Sequence, residues 1–452
     1  MTEAVTFVIL GASGDLTERL LLPGLGTLLA TDPEREVTLI GVGRSEKPEE
    51  AWRDLVRESL GRGECGRTQL ERVAESSRWV QVSAYDGDDV AELLGDLDGP
   101  VVLYFALPPT ATEAAVKALR GRDLPKDLRL ALDKPFGHDY ASAQELNRLI
   151  TDVVGEEQVF RVDHFLGRNT VLNLLGVRFA NHIFEPVWRA DHIDSIEIIA
   201  DEVLALEGRA GYYDGAGALI DMLQSHLLLV LSLVALSEPA RLDANELHNL
   251  MLHTLRSTHV FGDDPVANSR RGRYTAGTVE GKEIGAYVDE DGVDPDRGTE
   301  TLAEVVLEIR NQRWAGVPIT LRSGKALDGK RSHVVVRFKE VRHLPEGLDG
   351  KTSANVLTIG MTPHRIGLDV STNTGNDRLS LSTTHLDADL GDSDLRPYGE
   401  ILGRIFDNDH LLSVRGDVAE ECWRVLEPVI CAWREGKVPL RDYPAGSDPD
   451  HC

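Results

Sequence analysis

Short, almost continuously apolar runs punctuate the first 165 residues: VTFVILGAS (5–13), EVTLIGVGRS (36–45), PVVLYFALPP (100–109), LRLALDKPFG (128–137) and QVFRVDHF (158–165). Runs of that length read as strands buried on both faces. Helical patterns separate them, the first over 16–30, and such an alternation predicts a parallel, doubly wound sheet. Beyond about residue 170 the texture changes. Strand patterns arrive in series at 193–203, 299–311, 317–325, 332–341, 355–361, 365–373 and 379–386, several alternating apolar with polar residues. That alternation marks an antiparallel sheet with one covered face. Helical patterns at 171–182, 217–236, 243–257, 396–408 and 416–435 are expected to cover it. Segment 261–298, rich in Asp, Gly and Arg, and the tail SDPDHC read as mobile loops. The expectation is an α/β domain over 1–170 and an α+β domain over 171–452 built on a large, mainly antiparallel sheet.

Charge narrows the partners. The chain of 452 residues has 75 acidic against 48 basic side chains, a net charge of −27. Such a field repels nucleic acid and anionic membranes. A site for an anionic ligand must therefore gather its own cations. No uninterrupted apolar run approaches the roughly 18 residues of a membrane span, and the chain enters a strand pattern at once after MTEAV, so a cytoplasmic protein is expected. Cys65, Cys422, Cys431 and Cys452 have no metal-ligand spacing and read as free thiols, with no metal site expected.

Three segments carry candidate chemistry. GASGDL, that is Gly11, Ala12, Ser13, Gly14, Asp15 and Leu16, follows the first strand and opens a helix. In that setting Gly11 permits a tight turn, Gly14 lets the backbone approach a pyrophosphate, and the helix N-terminus supplies N–H donors, as in the Rossmann dinucleotide fold. The second strand ends at Arg44 and Ser45, with Lys47 close by, where NAD-specific sites usually carry an acid. A guanidinium suits a 2′-phosphate, which favours NADP. Finally, Gln224 and His226 interrupt the apolar run GYYDGAGALIDMLQSHLLLVLSLVAL (211–236), and RVDHFLG (161–167) sets Asp163 beside His164. A lone buried histidine is more often a hydrogen-bonded core residue than a base. With a carboxylate and a phosphate-cradle pattern elsewhere in the chain, His226 reads instead as part of a dinucleotide-dependent dehydrogenase.

The segments GASGDL, IGVGRS, YFALPP, DKPFG, RVDHFLGRNTVLNLLGVRFAN, EGRAGYYD, DMLQSH, RGRYTAG, RWAGVPITLRSGKAL and YPAGS resemble, in order and along nearly the whole chain, the glucose-6-phosphate dehydrogenase family. The resemblance implies NADP-dependent oxidation of glucose 6-phosphate to its lactone, the entry to the pentose phosphate pathway, by a homodimer or dimer of dimers joined through the large sheet. It implies His226 as general base and Asp163 as the carboxylate orienting it. Lys134, before a cis-proline, would touch sugar and cofactor, and Tyr104 would line the nicotinamide side. His164 and Arg168 match positions that bind the sugar phosphate. Glu202 and Asp221 match carboxylates that bind sugar hydroxyls, and Lys325 and Lys330 match lysines reaching the substrate. The tail lacks an aromatic segment that some relatives use for a second NADP, so one cofactor per subunit is expected.

Departures cluster at the sugar side. Phe165 stands where the family has Tyr, Arg168 where it has Lys, and Asn169 and Asp133 where it has Glu. Ile220 replaces Arg and Ser225 replaces Asn. They open two alternatives: a dehydrogenase for another hexose or hexose phosphate, and a non-catalytic NADP-binding relative.

Overall fold

The structure, a computed structural model, describes residues 4–206, 208, 210–350, 352–373, 379–391 and 395–451; the side chains of residues 169, 170 and 451 fall outside the description. The chain divides into two compact units. One comprises residues 1–169, 239–249 and 393–423, the other 170–238, 250–392 and 424–452.

The first unit holds six parallel strands: β1 (Val5–Leu10), β2 (Val37–Gly43), β3 (Arg78–Gln81), β4 (Val101–Phe105), β5 (Leu128–Asp133) and β6 (Val159–Val162). Their order, β3-β2-β1-β4-β5-β6, is that of the dinucleotide-binding doubly wound sheet, whose ligand crevice opens between β1 and β4. Both faces of the central strand are covered: Val5, Phe7 and Ile9 enter one core cluster, and Val8 and Leu10, on the other face, are equally buried. Gly41 and Gly43 make room for two indoles. A Cβ at either would lie 2.6 Å from the ring of Trp52 or Trp79 respectively.

Helix Pro397–Phe406 belongs to this unit, not to the cover of the large sheet as its late position suggested. Its Tyr398, Ile401, Leu402, Ile405 and Phe406 enter the same core cluster as Leu21, Leu22, Leu25, Leu28 and Leu29. Small residues allow the close approach. A Cβ on Gly24 would meet the Cβ of Tyr398 at 2.6 Å, and one on Gly399 would meet the Gly24 carbonyl at 2.8 Å. Arg129 caps the helix by donating to the carbonyls of Ile405 and Phe406 (3.0 and 2.8 Å).

The second unit is built on an eleven-stranded mixed sheet that includes β7 (Ile193–Asp201), β8 (Thr258–Val260) and β9 (Ser269–Thr275). A separate hairpin pairs β10 (Gly277–Val279) with β11 (Lys282–Ile284). The sheet continues through β12 (Leu302–Ile309), β13 (Ile319–Gly324), β14 (Arg331–Phe338), β15 (Asp349–Gly350), β16 (Val356–Met361), β17 (His364–Asn373), β18 (Ser380–Asp389) and β19 (Leu440–Pro444). Most neighbours are antiparallel; β7–β13, β9–β19 and β15–β18 are parallel. Segment 261–298 is thus no bare loop. β9 pairs with β12 and β19, and its Tyr274 is core. The described part of the tail is also tied down, since Arg322 donates to Asp450 (2.8 Å) and Arg270 to the Pro449 carbonyl (2.9 Å); Cys452 lies outside the description, and Cys65, Cys422 and Cys431 form no disulfide among the described residues. The helical stretch Ala210–Ala235 is long and apolar enough to cross a membrane by composition, but 83% of its most apolar 18-residue window is buried inside the fold.

Candidate active site

In the first unit the glycine turn sits at the β1–β4 crevice. Gly11 has φ +81°, and a Cβ there would lie 2.5 Å from the Ala106 carbonyl, so only glycine fits. The Gly11 and Ala12 amides both donate to the Val42 carbonyl (3.0 and 3.1 Å), tying the turn to the end of β2. Ala12 is buried in the core and Leu16 packs against it, so both serve the site through backbone. Ser13 and Asp15 are exposed, and Asp15 pairs with Arg19 at 3.4 Å. Gly14 is less constrained: a Cβ would approach the Gly11 carbonyl at 3.2 Å. The turn is therefore a cradle bounded by backbone, which fits a pyrophosphate.

Past β2, the Ser45 carbonyl accepts from the Trp79 indole (3.1 Å) and the Arg44 carbonyl from Gln81 (3.1 Å). The backbone is thus held while the Arg44 side chain stays exposed, with no ion pair among the described residues. Lys47 lies over Trp79, 5.2 Å from the ring centre. These cations fit the 2′-phosphate of NADP.

The ends of β4, β5 and β6 carry the next group. Tyr104 and Tyr398 both donate to one oxygen of Asp133 (2.7 and 2.9 Å), and the Lys134 amide donates to the other (3.0 Å). Burial pushes the Asp133 carboxyl up, while the two phenols pull it back down; burial prevails. Tyr104 is fully buried and positions Asp133 through its hydroxyl bond. The Lys134–Pro135 bond is cis. Buried Asp163 accepts the Phe165 amide (3.0 Å), a local turn that sets the next residues. The His164 ring stacks on Tyr398, centroids 5.7 Å apart, and the Arg168 guanidinium lies 3.8 Å over the Phe165 ring. Sequence reasoning missed Tyr398. A lone tyrosine more than 200 positions downstream offered no signal.

In the second unit the parallel pair β7–β13 delivers two residues at one end of the sheet. The Glu202 amide donates to the Gly324 carbonyl (2.8 Å) and the Lys325 amide to the Thr301 carbonyl (2.9 Å). Their side chains meet as an ion pair at 2.5 Å. Against β7, β12 and β13 lies a wide, π-helical segment, Leu219–Leu227, which bears Asp221, Gln224, Ser225 and His226. Residues five apart on an α-helix point about 140° away from each other, but the i→i+5 bonding of a π-helix brings them to one side. Asp221 and His226 share a face for that reason. His226 is 1% exposed, whereas Asp221 is half-buried. Gly217 (φ +68°) precedes the segment, its α-hydrogen side filled by Glu300, a carboxylate that accepts the Leu219 amide (3.0 Å). Burial pushes Glu300 up to about 7. Lys330, at the turn into β14, is exposed and forms no ion pair among the described residues. Asn169, a departure noted above, has its side chain outside the description, as do Glu207 and Arg209 of EGRAGYYD.

A glycine cradle at the switch point of a doubly wound sheet, with a cationic rim, defines a dinucleotide-binding protein. Residues 8–173 match the family described as glucose-6-phosphate dehydrogenase, NAD binding domain, and residues 175–451 match glucose-6-phosphate dehydrogenase, C-terminal domain. The chain belongs to the glucose-6-phosphate dehydrogenase family. It is 35% identical to the glucose-6-phosphate 1-dehydrogenase of Rhizobium meliloti (98% of this chain, 94% of that one) and 34% identical to that of Zymomonas mobilis (99% and 96%). A solved glucose-6-phosphate dehydrogenase in complex with its substrate glucose-6-phosphate is similar with TM-score 0.89 at 27% identity, covering 99% and 96% of the chains. The enzyme from Mycobacterium avium is similar with TM-score 0.85 at 31% identity, covering 98% and 94%.

Proposed function

We propose that this protein oxidises glucose 6-phosphate at the anomeric carbon to 6-phosphogluconolactone, in the cytoplasm, with NADP as partner. The observation that carries the reading is the wide helical segment, which sets His226 and Asp221 on one face in a chain of this family. NADP, when bound, accepts the hydride. His226 removes the proton of the anomeric hydroxyl, the work of a general base, for which an imidazole is the commonest side chain. Asp163 holds its tautomer and stabilises the imidazolium. Glu202 and Asp221 accept from sugar hydroxyls, and Lys325, with Lys330 at the rim, donates. Lys134 faces both sugar and cofactor. His164 and Arg168 neutralise the phosphate, which is how an anion is held in a chain of net charge −27. Gly11 to Leu16 cradle the pyrophosphate, and Arg44 with Ser45 holds the 2′-phosphate.

A second reading, a dehydrogenase for a differently substituted hexose, draws on one observation. Phe165 has no hydroxyl to offer, and its ring carries the Arg168 guanidinium at 3.8 Å. Rates of NADPH formation with glucose 6-phosphate and with glucose, against a His226→Ala blank, decide between them. Activity confined to the phosphate ester upholds the first reading; equal or absent activity with both sugars overturns it. The reading extends to a homodimer joined through β17 and β18, whose Leu386 is exposed. A monomeric mass in light scattering would remove that part.

A further inference from the structure

The core cluster of the second unit contains four buried tyrosines, and three of them have bonded hydroxyls. Tyr274 donates to Glu290 (3.2 Å), Tyr287 to Asp214 (2.8 Å), and Tyr443 to the Lys325 carbonyl (2.7 Å). Tyr213, only 3% exposed, is different: its hydroxyl has no hydrogen-bond partner among the described residues. A buried, unanswered hydroxyl is costly, and a native fold keeps one where a water or a ligand completes it. Its neighbourhood is specific. The Lys325 ammonium lies 5.2 Å from the ring centre, and that lysine pairs with Glu202. Desolvation, followed by the negative charges of Asp221, Glu300 and Glu202, pushes the phenol well above its ordinary range, so it stays protonated and able to donate. The ring is fixed edge-on against Tyr287, 6.3 Å between centres, leaving the hydroxyl little choice of direction.

We infer that Tyr213 is a specificity-determining residue whose hydroxyl donates to a ring hydroxyl of the hexose held by Glu202, Asp221 and Lys325. The inference rests on the function proposed above and assigns a donor to a residue that reading leaves idle. It also separates two classes of contact: Glu202 and Asp221 only accept from the sugar, and the phenol joins the Lys325 ammonium as a donor to sugar oxygens that accept.

The test measures kcat/KM of the wild-type enzyme and Tyr213→Phe on glucose 6-phosphate and on its 2-, 3- and 4-deoxy analogues. Removal of one neutral hydrogen bond should lower kcat/KM for the parent sugar about five- to tenfold. Against the one analogue that lacks the bonded hydroxyl, wild type and variant should coincide. A loss of equal size on every substrate, or no loss on any, overturns the inference while leaving the dehydrogenase reading intact. A wild-type enzyme that turns over none of the four overturns that reading and this inference together. Thermal melting of both proteins identifies a variant that loses activity by misfolding, and Tyr213→Trp, which restores a ring N–H donor without the phenol geometry, should not recover the discrimination.

Discussion

The glycine turn and the proposed sugar cluster are built by opposite means. At the turn the backbone does the work: Gly11 φ, the amides tied to Val42, and a carbonyl wall at Ala106 leave room for no side chain. At the sugar cluster the backbone only delivers. Strand ends and a wide helical segment bring Glu202, Lys325, Asp221 and His226 to their places, and side chains supply the chemistry. A backbone site tolerates almost no change at its glycine but much change around it. A side-chain site tolerates drift in every residue except those that react, and two of the departures from the family pattern, Ile220 and Ser225, lie on that helical segment.

The comparison can be broken in graded ways. The largest effect belongs to His226→Asn, which should lower kcat by about 10²–10⁴ with melting temperature preserved; a smaller kinetic loss would mean that the base lies elsewhere. Next is Glu300, the buried carboxylate under the helix. Its folded pKa of about 7 lies above the ordinary 4.5, so the folded state binds the extra proton between those values and stability falls as pH rises through that window. Glu300→Gln keeps the acceptor for the Leu219 amide and removes the charge. In urea titrations its advantage over wild type should grow from under about 1 kcal/mol at pH 5 to on the order of 3 kcal/mol at pH 8; a pH-independent difference would sink the assignment. Gly11→Ala should destabilise the fold by about 2–3 kcal/mol through its positive φ and the clash at Ala106, whereas Gly14→Ala should barely change stability. Chemical denaturation of the two variants side by side tests the claim that the turn is a backbone site. The smallest effect is Arg44→Ala, expected to raise KM for NADP about tenfold and leave NAD unchanged; equal changes for both cofactors would remove Arg44 from the 2′-phosphate.

What could be read from the chain follows the same division. The turn was legible because strand, glycines and helix lie within 30 residues and state their geometry locally. The seven strand runs of the second unit were legible by alternation. β9 was not, since SRRGRYT carries few apolar side chains and is held by its pairing with β12 and β19. The bond from Tyr104 to Asp133 was hidden as well, because an aromatic at a strand end looks alike whether or not a carboxylate lies within reach of its hydroxyl. The wide turn under His226 was likewise hidden: helical periodicity on paper assumes 3.6 residues per turn, and LIDMLQSHL departs from it.

The helix Pro397–Phe406 has a consequence for how the protein comes into being. During synthesis from the N-terminus, the first sheet emerges early but lacks five of the side chains that seal one of its faces until nearly the entire chain has left the ribosome. Nascent chains of intermediate length must therefore carry an exposed greasy surface around Leu25 and Phe7, a natural target for holding chaperones. A gene fragment ending near residue 170 would inherit that surface permanently.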